Sequence, residues 1–286
     1  MKIAITGATG FIGQHLAKIF HAKGWEVLPI GRKQLALPDQ KLADLMDGVD
    51  AVINLAGATI ARRWSEEYKK LIYNSRIDVT RKIVAAITLG KVRPRIFIST
   101  SAVGIYDGKE QHNENSTKFA EDYLGSVCKD WESEAVKARE FGVRTVICRF
   151  GIVLGKGGGM LSKMLPSFKL GLGGTIGNGR QFLSWIHLED LGAAFCQILL
   201  RSNVKDIYNL TAPNPVTNKE LTKTLANLLH RPALFPVPIL VLKLIFLEGV
   251  VAIASGQFAR PEGLLQEGFS FKFPTVQEAL INILNE

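Results

Sequence analysis

The sequence predicts an α/β fold, a doubly wound parallel sheet with a smaller α/β lobe at its C-terminal end. Three observations predict it. Five short apolar runs, at 3–6, 26–30, 51–55, 96–100 and 144–148, alternate with stretches of helical periodicity. The runs are nearly continuous in hydrophobicity and rich in Val and Ile, which suits strands buried on both faces. A glycine-rich heptad stands between the first strand and the first helix.

The elements follow in order. After the first strand, 11–23 places Ile12, Leu16, Ile19 and Phe20 on one helical face, and Gly24 supplies the stop. The strands at 26–30 and 51–55 come next, then one long helix over 65–89. The strand at 96–100, a helix over 120–140 and the strand at 144–148 complete the alternation, which is that of βαβ units. Beyond Arg149 the texture changes. Residues 155–159 read as a flexible glycine loop, 171–179 as a second glycine-rich stretch, and 189–201, 218–230 and 275–284 as helices. Residues 1–150 are therefore the dinucleotide-binding domain. Residues 151–286 form a substrate-side lobe, interleaved with the first domain and not independent of it.

The segment 234–254 is strongly apolar, yet it contains Pro236, Pro238, Lys243 and Glu248. That makes it a poor bilayer span and predicts a buried or pocket-lining helix, with a membrane-surface or partner-binding role as the alternative. No stable membrane insertion is expected. A strand pattern starting at residue 2 predicts no signal peptide.

The net charge of +9 is spread over the 286 residues without long like-charge runs. It reads as a solvated basic surface, or as a field that attracts anionic ligands. No zinc-finger spacing or aromatic-basic signature points to nucleic acid. Three scattered cysteines, Cys128, Cys148 and Cys196, argue against a disulfide framework and a Cys-based zinc site. No metal is expected, and a reducing, cytoplasmic setting is.

The heptad Gly7-Ala8-Thr9-Gly10-Phe11-Ile12-Gly13 carries the clearest chemistry. Glycines let the chain turn tightly and approach a pyrophosphate, and the helix that follows offers free N–H groups and a partial positive charge. The second strand ends in Gly31-Arg32-Lys33, where proteins selective for NAD place a carboxylate for the ribose hydroxyls. Cations there suit a 2′-phosphate, so NADP(H) is expected in preference to NAD(H). Two ordinary surface cations are the plainer alternative. Asn54-Leu55-Ala56-Gly57 gives a small-residue edge for the adenosine half, and Ser99 and Thr100 close the list of expected cofactor contacts.

Further along stand Ser99-Thr100-Ser101-Ala102-Val103-Gly104-Ile105-Tyr106 and Arg149-Phe150-Gly151-Ile152-Val153-Leu154-Gly155. Ser184-Trp185-Ile186-His187-Leu188-Glu189-Asp190 and Tyr208-Asn209-Leu210-Thr211-Ala212-Pro213 follow. With the heptad and the Asn54 edge, these runs resemble the extended short-chain dehydrogenase/reductase superfamily over nearly the whole chain. They resemble most its atypical branch labelled nucleoside-diphosphate-sugar epimerase, which carries a C-terminal domain of unknown role. The resemblance implies a Rossmann-type fold, NADP(H) in the first half, a small-molecule substrate and a homodimer.

The resemblance also implies a catalytic Tyr with Lys four residues on, and here the chain departs. Four positions after Tyr68, Tyr73, Tyr106, Tyr123 and Tyr208 stand Ile72, Ile77, Glu110, Val127 and Ala212. Matching Glu132 to the Glu that follows the family motif puts Leu124 and Cys128 where Tyr and Lys belong. Arg76 takes the place of the family's Asn, and Ser101 keeps that of its Ser. Ile152, and the pair Leu183-Ser184, replace nucleotide-sugar contacts. Ser101 and Tyr106 are the catalytic candidates, and Cys128 reads as a small buried hydrophobe. Arg63, Trp64, Arg76, Arg180 and Trp185 are candidates for meeting an anionic substrate, and His187 reads as a core histidine. Two functions follow. One is an NADP(H)-dependent oxidoreductase or epimerase of unidentified substrate. The other is a non-catalytic NADP(H)-binding regulatory or assembly protein, since some members of the branch carry cell-division labels.

Overall fold

The computed structural model describes residues 1–285, the side chain of Ile253 apart. Six strands form one parallel sheet: β1 (Lys2–Thr6), β2 (Glu26–Ile30), β3 (Ala51–Asn54), β4 (Ile96–Ala102), β5 (Arg144–Phe150) and β6 (Ile207–Leu210). Their order across the sheet is β6-β5-β4-β3-β1-β2. The winding direction reverses between β1 and β3. That switch point opens a crevice at the carboxyl ends of these strands, the place where open α/β sheets bind ligands.

The longer helices are α1 (Phe11–Ala22), α2 (Asp39–Met46), α3 (Glu66–Asn74), α4 (Ile77–Leu89) and α5 (Tyr123–Val136). They continue as α6 (Gly159–Lys169), α7 (Leu188–Leu200), α8 (Asn218–Leu228), α9 (Ile239–Phe246) and α10 (Val276–Asn285). Alternate residues of β1 serve opposite faces of the sheet, as the pleat requires. Ile3 and Ile5 join Leu16 of α1 and Phe195 of α7 in one core. Ala4 joins Leu42, Ile83 and Ala135 of α2, α4 and α5 in the other. A third core, with Leu161, Phe168, Trp185, Leu225 and Leu280, fills the second lobe.

Several expectations need revision. The sheet has a sixth strand, β6, which pairs with β5, and α7 packs on the first core, so the chain beyond 150 returns twice to the sheet. The helix expected over 65–89 is broken at Ser75 and Arg76. Ser75 Oγ accepts from Ala58 N at 2.9 Å and donates to Ile72 O at 3.1 Å, and Arg76 Nη1 donates to the same carbonyl at 3.1 Å. These side chains satisfy the carbonyl end of α3 and divert the chain. Within 155–159, Gly158 packs against the start of α1, where a Cβ would lie 2.2 Å from the Phe11 ring, while Lys156 and Gly157 are exposed.

The segment 234–254 is not the buried helix its apolarity predicts. No residue of α9 is buried, and Leu240 and Leu244 are 70% and 73% exposed. Among the described residues, no helix is long and apolar enough to cross a membrane.

Candidate cofactor cleft and active site

The glycine heptad leaves the carboxyl end of β1 and enters α1 at the switch point. Gly7 has φ +67°, and a Cβ there would meet the Leu55 carbonyl at 3.0 Å. Gly10 N donates to Gly7 O at 2.9 Å, closing the turn. A Cβ at Gly13 would stand 2.3 Å from Gly7 O and 2.7 Å from Ala8 Cα, so helix and turn touch backbone to backbone. Gly10 caps α1 without a side-chain acceptor, which leaves the first N–H groups facing the crevice with their partial positive charge. Thr9 and Gly10 are exposed at its mouth, while Phe11 and Ile12 are partly buried and pack on the sheet core.

A buried polar network fixes the opposite edge. Thr6 Oγ1 donates to Asn54 Oδ1 at 2.6 Å and accepts from the Leu55 and Ala56 backbone N–H groups at 3.1 and 3.2 Å. Asn54 Nδ2 donates to Thr80 Oγ1, which also accepts from the Trp131 indole and donates to Arg76 O. Thr100 Oγ1 donates to Asn54 O at 2.9 Å. Every polar atom named here has a partner, so Leu55, Ala56 and Gly57 are held at a fixed height beside the glycine turn. Arg32 and Lys33 begin a single helical turn just past β2. Both are exposed, and neither forms an ion pair among the described residues.

The carboxyl end of β4 is different. Ser99 and Ser101 are buried, and among the described residues neither Oγ has a hydrogen bond of good geometry. Buried hydroxyls are rarely left so. Ser101 sits beside the Cys128 thiol of α5 without a hydrogen bond of good geometry. Burial pushes that thiol up to about 11 and Glu132 adds to the rise, while Arg76 and Ser101 oppose it. The thiol is therefore protonated at neutral pH, in line with its reading as a small buried residue.

Arg76 comes to this end from the break between α3 and α4. Its guanidinium passes over Gly57, where a Cβ would lie 3.1 Å from Cζ, and rests 5.2 Å from the Trp131 ring centroid. Nη2 donates to Ala58 O at 3.1 Å. No carboxylate pairs with it among the described residues. Desolvation lowers its pKa, as it must for a cation among neutral neighbours.

Tyr106 is wholly buried, its hydroxyl donates to Asn209 Oδ1 at 2.9 Å, and it accepts from Arg149 Nη1 at 2.8 Å. Its ring stacks on His112 at 4.8 Å, and burial raises its pKa. Arg149 in turn grips Glu132 with Nε and Nη2 at 2.8 and 2.7 Å. That fork ties α5 to β5 and sets the rotation of the stripe Leu124, Cys128, Glu132. A cation inside the apolar strand run 144–150 signals such a pair, since buried Arg is seldom left single.

The remaining candidates separate. Trp64 is buried, donates from its indole to Ile60 O at 2.9 Å and meets Tyr123 edge-on at 5.6 Å, so it anchors the loop after Gly57. Arg63 beside it is exposed. Trp185 is a core residue of the second lobe, and its indole donates to Asn214 O at 3.0 Å. Arg180 is exposed in that same lobe. His187 is buried, and desolvation lowers its pKa to about 4.

A family model described as the NAD dependent epimerase/dehydratase family matches residues 3–211. The chain belongs to this family. A second model, described as a domain of unknown function, matches residues 237–283. The chain is 37% identical over 303 residues to the chloroplastic epimerase family protein SDR39U1 homolog of Arabidopsis thaliana, with 99% of this chain and 87% of that protein covered. It is 37% identical over 302 residues to the epimerase family protein YfhF of Bacillus subtilis, covering 99% and 98%. The crystal structure of human epimerase family protein SDR39U1 with NADPH superimposes with a TM-score of 0.90 at 32% identity, all of both chains being covered. Among more distant members of the fold, a UDP-glucuronic acid 4-epimerase from Bacillus cereus superimposes with a TM-score of 0.82 at 15% identity. Cys128 of α5, where the resemblance implies a Lys, stands beside Ser101.

Proposed function

We propose that this chain binds NADP(H), in preference to NAD(H), along the carboxyl edges of β1 to β4. We further propose that it reduces or oxidises a small carbonyl or hydroxyl compound bearing an anionic group. The observation that carries the reading is the pair of groups near Cys128: among the described residues, a guanidinium with no carboxylate partner and a serine hydroxyl with no hydrogen bond of good geometry. The residues present fit the cofactor. The glycine turn leaves no room for side chains beside the first N–H groups of α1, which would meet a pyrophosphate, and Arg32 and Lys33, exposed just past β2, would meet a 2′-phosphate. When bound, the cofactor supplies or accepts a hydride.

The chain's own part is to orient and to stabilise charge. Ser101 donates to the reacting oxygen. Arg76 places positive charge near an alkoxide as it develops, in a site where low dielectric strengthens the effect. With no Tyr–Lys pair on α5, the proton passes between that oxygen and water. Free buried cysteines accord with a reducing, cytoplasmic setting.

The specific observation favouring the second reading, a non-catalytic NADP(H)-binding regulatory protein, is Leu124 and Cys128 in place of a proton-transfer pair. One experiment separates the two. NADPH oxidation is followed at its absorbance band with a panel of carbonyl compounds, carboxylates and sugar acids included. Turnover is expected, with Ser101→Ala lowering kcat/KM about a hundredfold, the loss typical of one oxyanion donor. Arg76→Met is expected to lower kcat and leave KM nearly unchanged, since its charge acts as the alkoxide develops. An unchanged absorbance with NADPH binding intact leaves the non-catalytic reading.

A further inference from the structure

Helix α9 is apolar on every side, with Lys243 its one charged residue, and none of its residues is buried. A helix of that composition belongs in a core or against lipid. Its surroundings enlarge the exposed surface. Val237 N donates to Thr175 O at 2.8 Å and Gly177 N to Val237 O at 3.0 Å, so the strand-like stretch before α9 is stitched to the loop after α6. Leu234 and Phe235 on one side, and Leu170 and Leu172 on the other, are each about two-thirds or more exposed. Together with Leu240 and Leu244 they extend one apolar surface across two chain segments.

The charges of those segments have one sign. Residues 151–188 and 221–247 contain no Asp or Glu, and they carry Lys156, Lys163, Lys169, Arg180, Lys223, Arg231 and Lys243. Lys169, Arg231 and Lys243 are exposed next to the apolar residues named. A second copy is a poor occupant. A two-fold contact would set this basic surface against itself, with no carboxylate from either segment to neutralise it.

We propose that this face binds the surface of a bilayer containing anionic phospholipid. Helix α9 lies in the plane of the headgroups and the flanking cations meet the lipid phosphates. At eight residues α9 is about 12 Å long, far short of a span, so the attachment is peripheral and reversible.

The test is co-sedimentation of the full chain with vesicles of phosphatidylcholine alone, and of phosphatidylcholine with phosphatidylglycerol. Binding is expected only to the second, and it should fall as salt is added. Lys243→Gln should weaken it about fivefold, the share of one surface cation. Leu240→Glu/Leu244→Glu should abolish it. Both positions are exposed, so the variant's melting temperature should match the parent's and show that the loss is not unfolding. Absence from both vesicle pellets would overturn the proposal. So would a dimer in light scattering that the double variant dissolves, since a second copy or another protein would then cover the face.

Discussion

Gly13→Ala is expected to lower NADPH affinity by about a hundredfold or more while the protein stays folded. A methyl at that position would stand 2.3 Å from Gly7 O and 2.7 Å from Ala8 Cα, both backbone atoms that no side-chain rotation relieves. Either α1 slides away from the turn or the turn opens. In both cases the N–H groups at Gly10 and beyond leave the line on which they meet a pyrophosphate. Losing one or two charge-assisted hydrogen bonds at about 1.5–3 kcal/mol each gives the stated factor. Overpacking costs about 1–3 kcal/mol of stability, within the reserve of a domain this size. Gly90→Ala is the control, because its Cβ would meet only ordinary contacts at 3.6 Å or more. Isothermal titration of both variants with NADPH checks it. An unchanged Kd for Gly13→Ala would show that the turn does not carry the phosphates.

The second large effect lies behind the cleft. Arg149→Met is expected to cost about 3–5 kcal/mol, because it strands Glu132 against the core after its only fork partner is gone. For a chain of this length the melting temperature should drop by about 5–8 °C. The double variant Arg149→Met/Glu132→Leu should regain most of the loss, since an apolar pair of similar volume avoids the desolvation of both charges. Thermal melts of the parent, the single and the double variants measure this. A single variant as stable as the parent would mean that the fork does not tie α5 to β5.

Strands such as Ala51–Asn54 are legible in the sequence because both faces of the sheet are covered, which leaves no room for polar alternation. The glycine turn is legible because each glycine answers a local steric demand. Strand β6 is harder to read. Its four residues, Ile207–Leu210, include Tyr208 and Asn209, whose polar ends are satisfied from elsewhere in the chain. Tyr106 reads as catalytic by its place after β4, while its hydroxyl is held by Asn209 and Arg149, partners that only the fold brings near. The break at Arg76 interrupts a sequence of good helical pattern, because the carbonyl it answers, Ala58 O, lies 18 residues back. Helix α9 misleads in the other direction. Its apolarity predicts burial, and the cover it needs is not supplied by the described residues of this chain.

The central claim is that an NADP(H) cradle is complete although the proton-transfer pair beside it is lost. Titration of the purified chain with NADPH and with NADH tests it most directly, the parent beside Arg32→Ala. NADPH is predicted to bind about tenfold or more tightly than NADH, as expected for one charge-assisted contact to the 2′-phosphate, and Arg32→Ala is predicted to erase the difference. Equal or tighter binding of NADH by the parent, or binding of neither dinucleotide, would contradict the account.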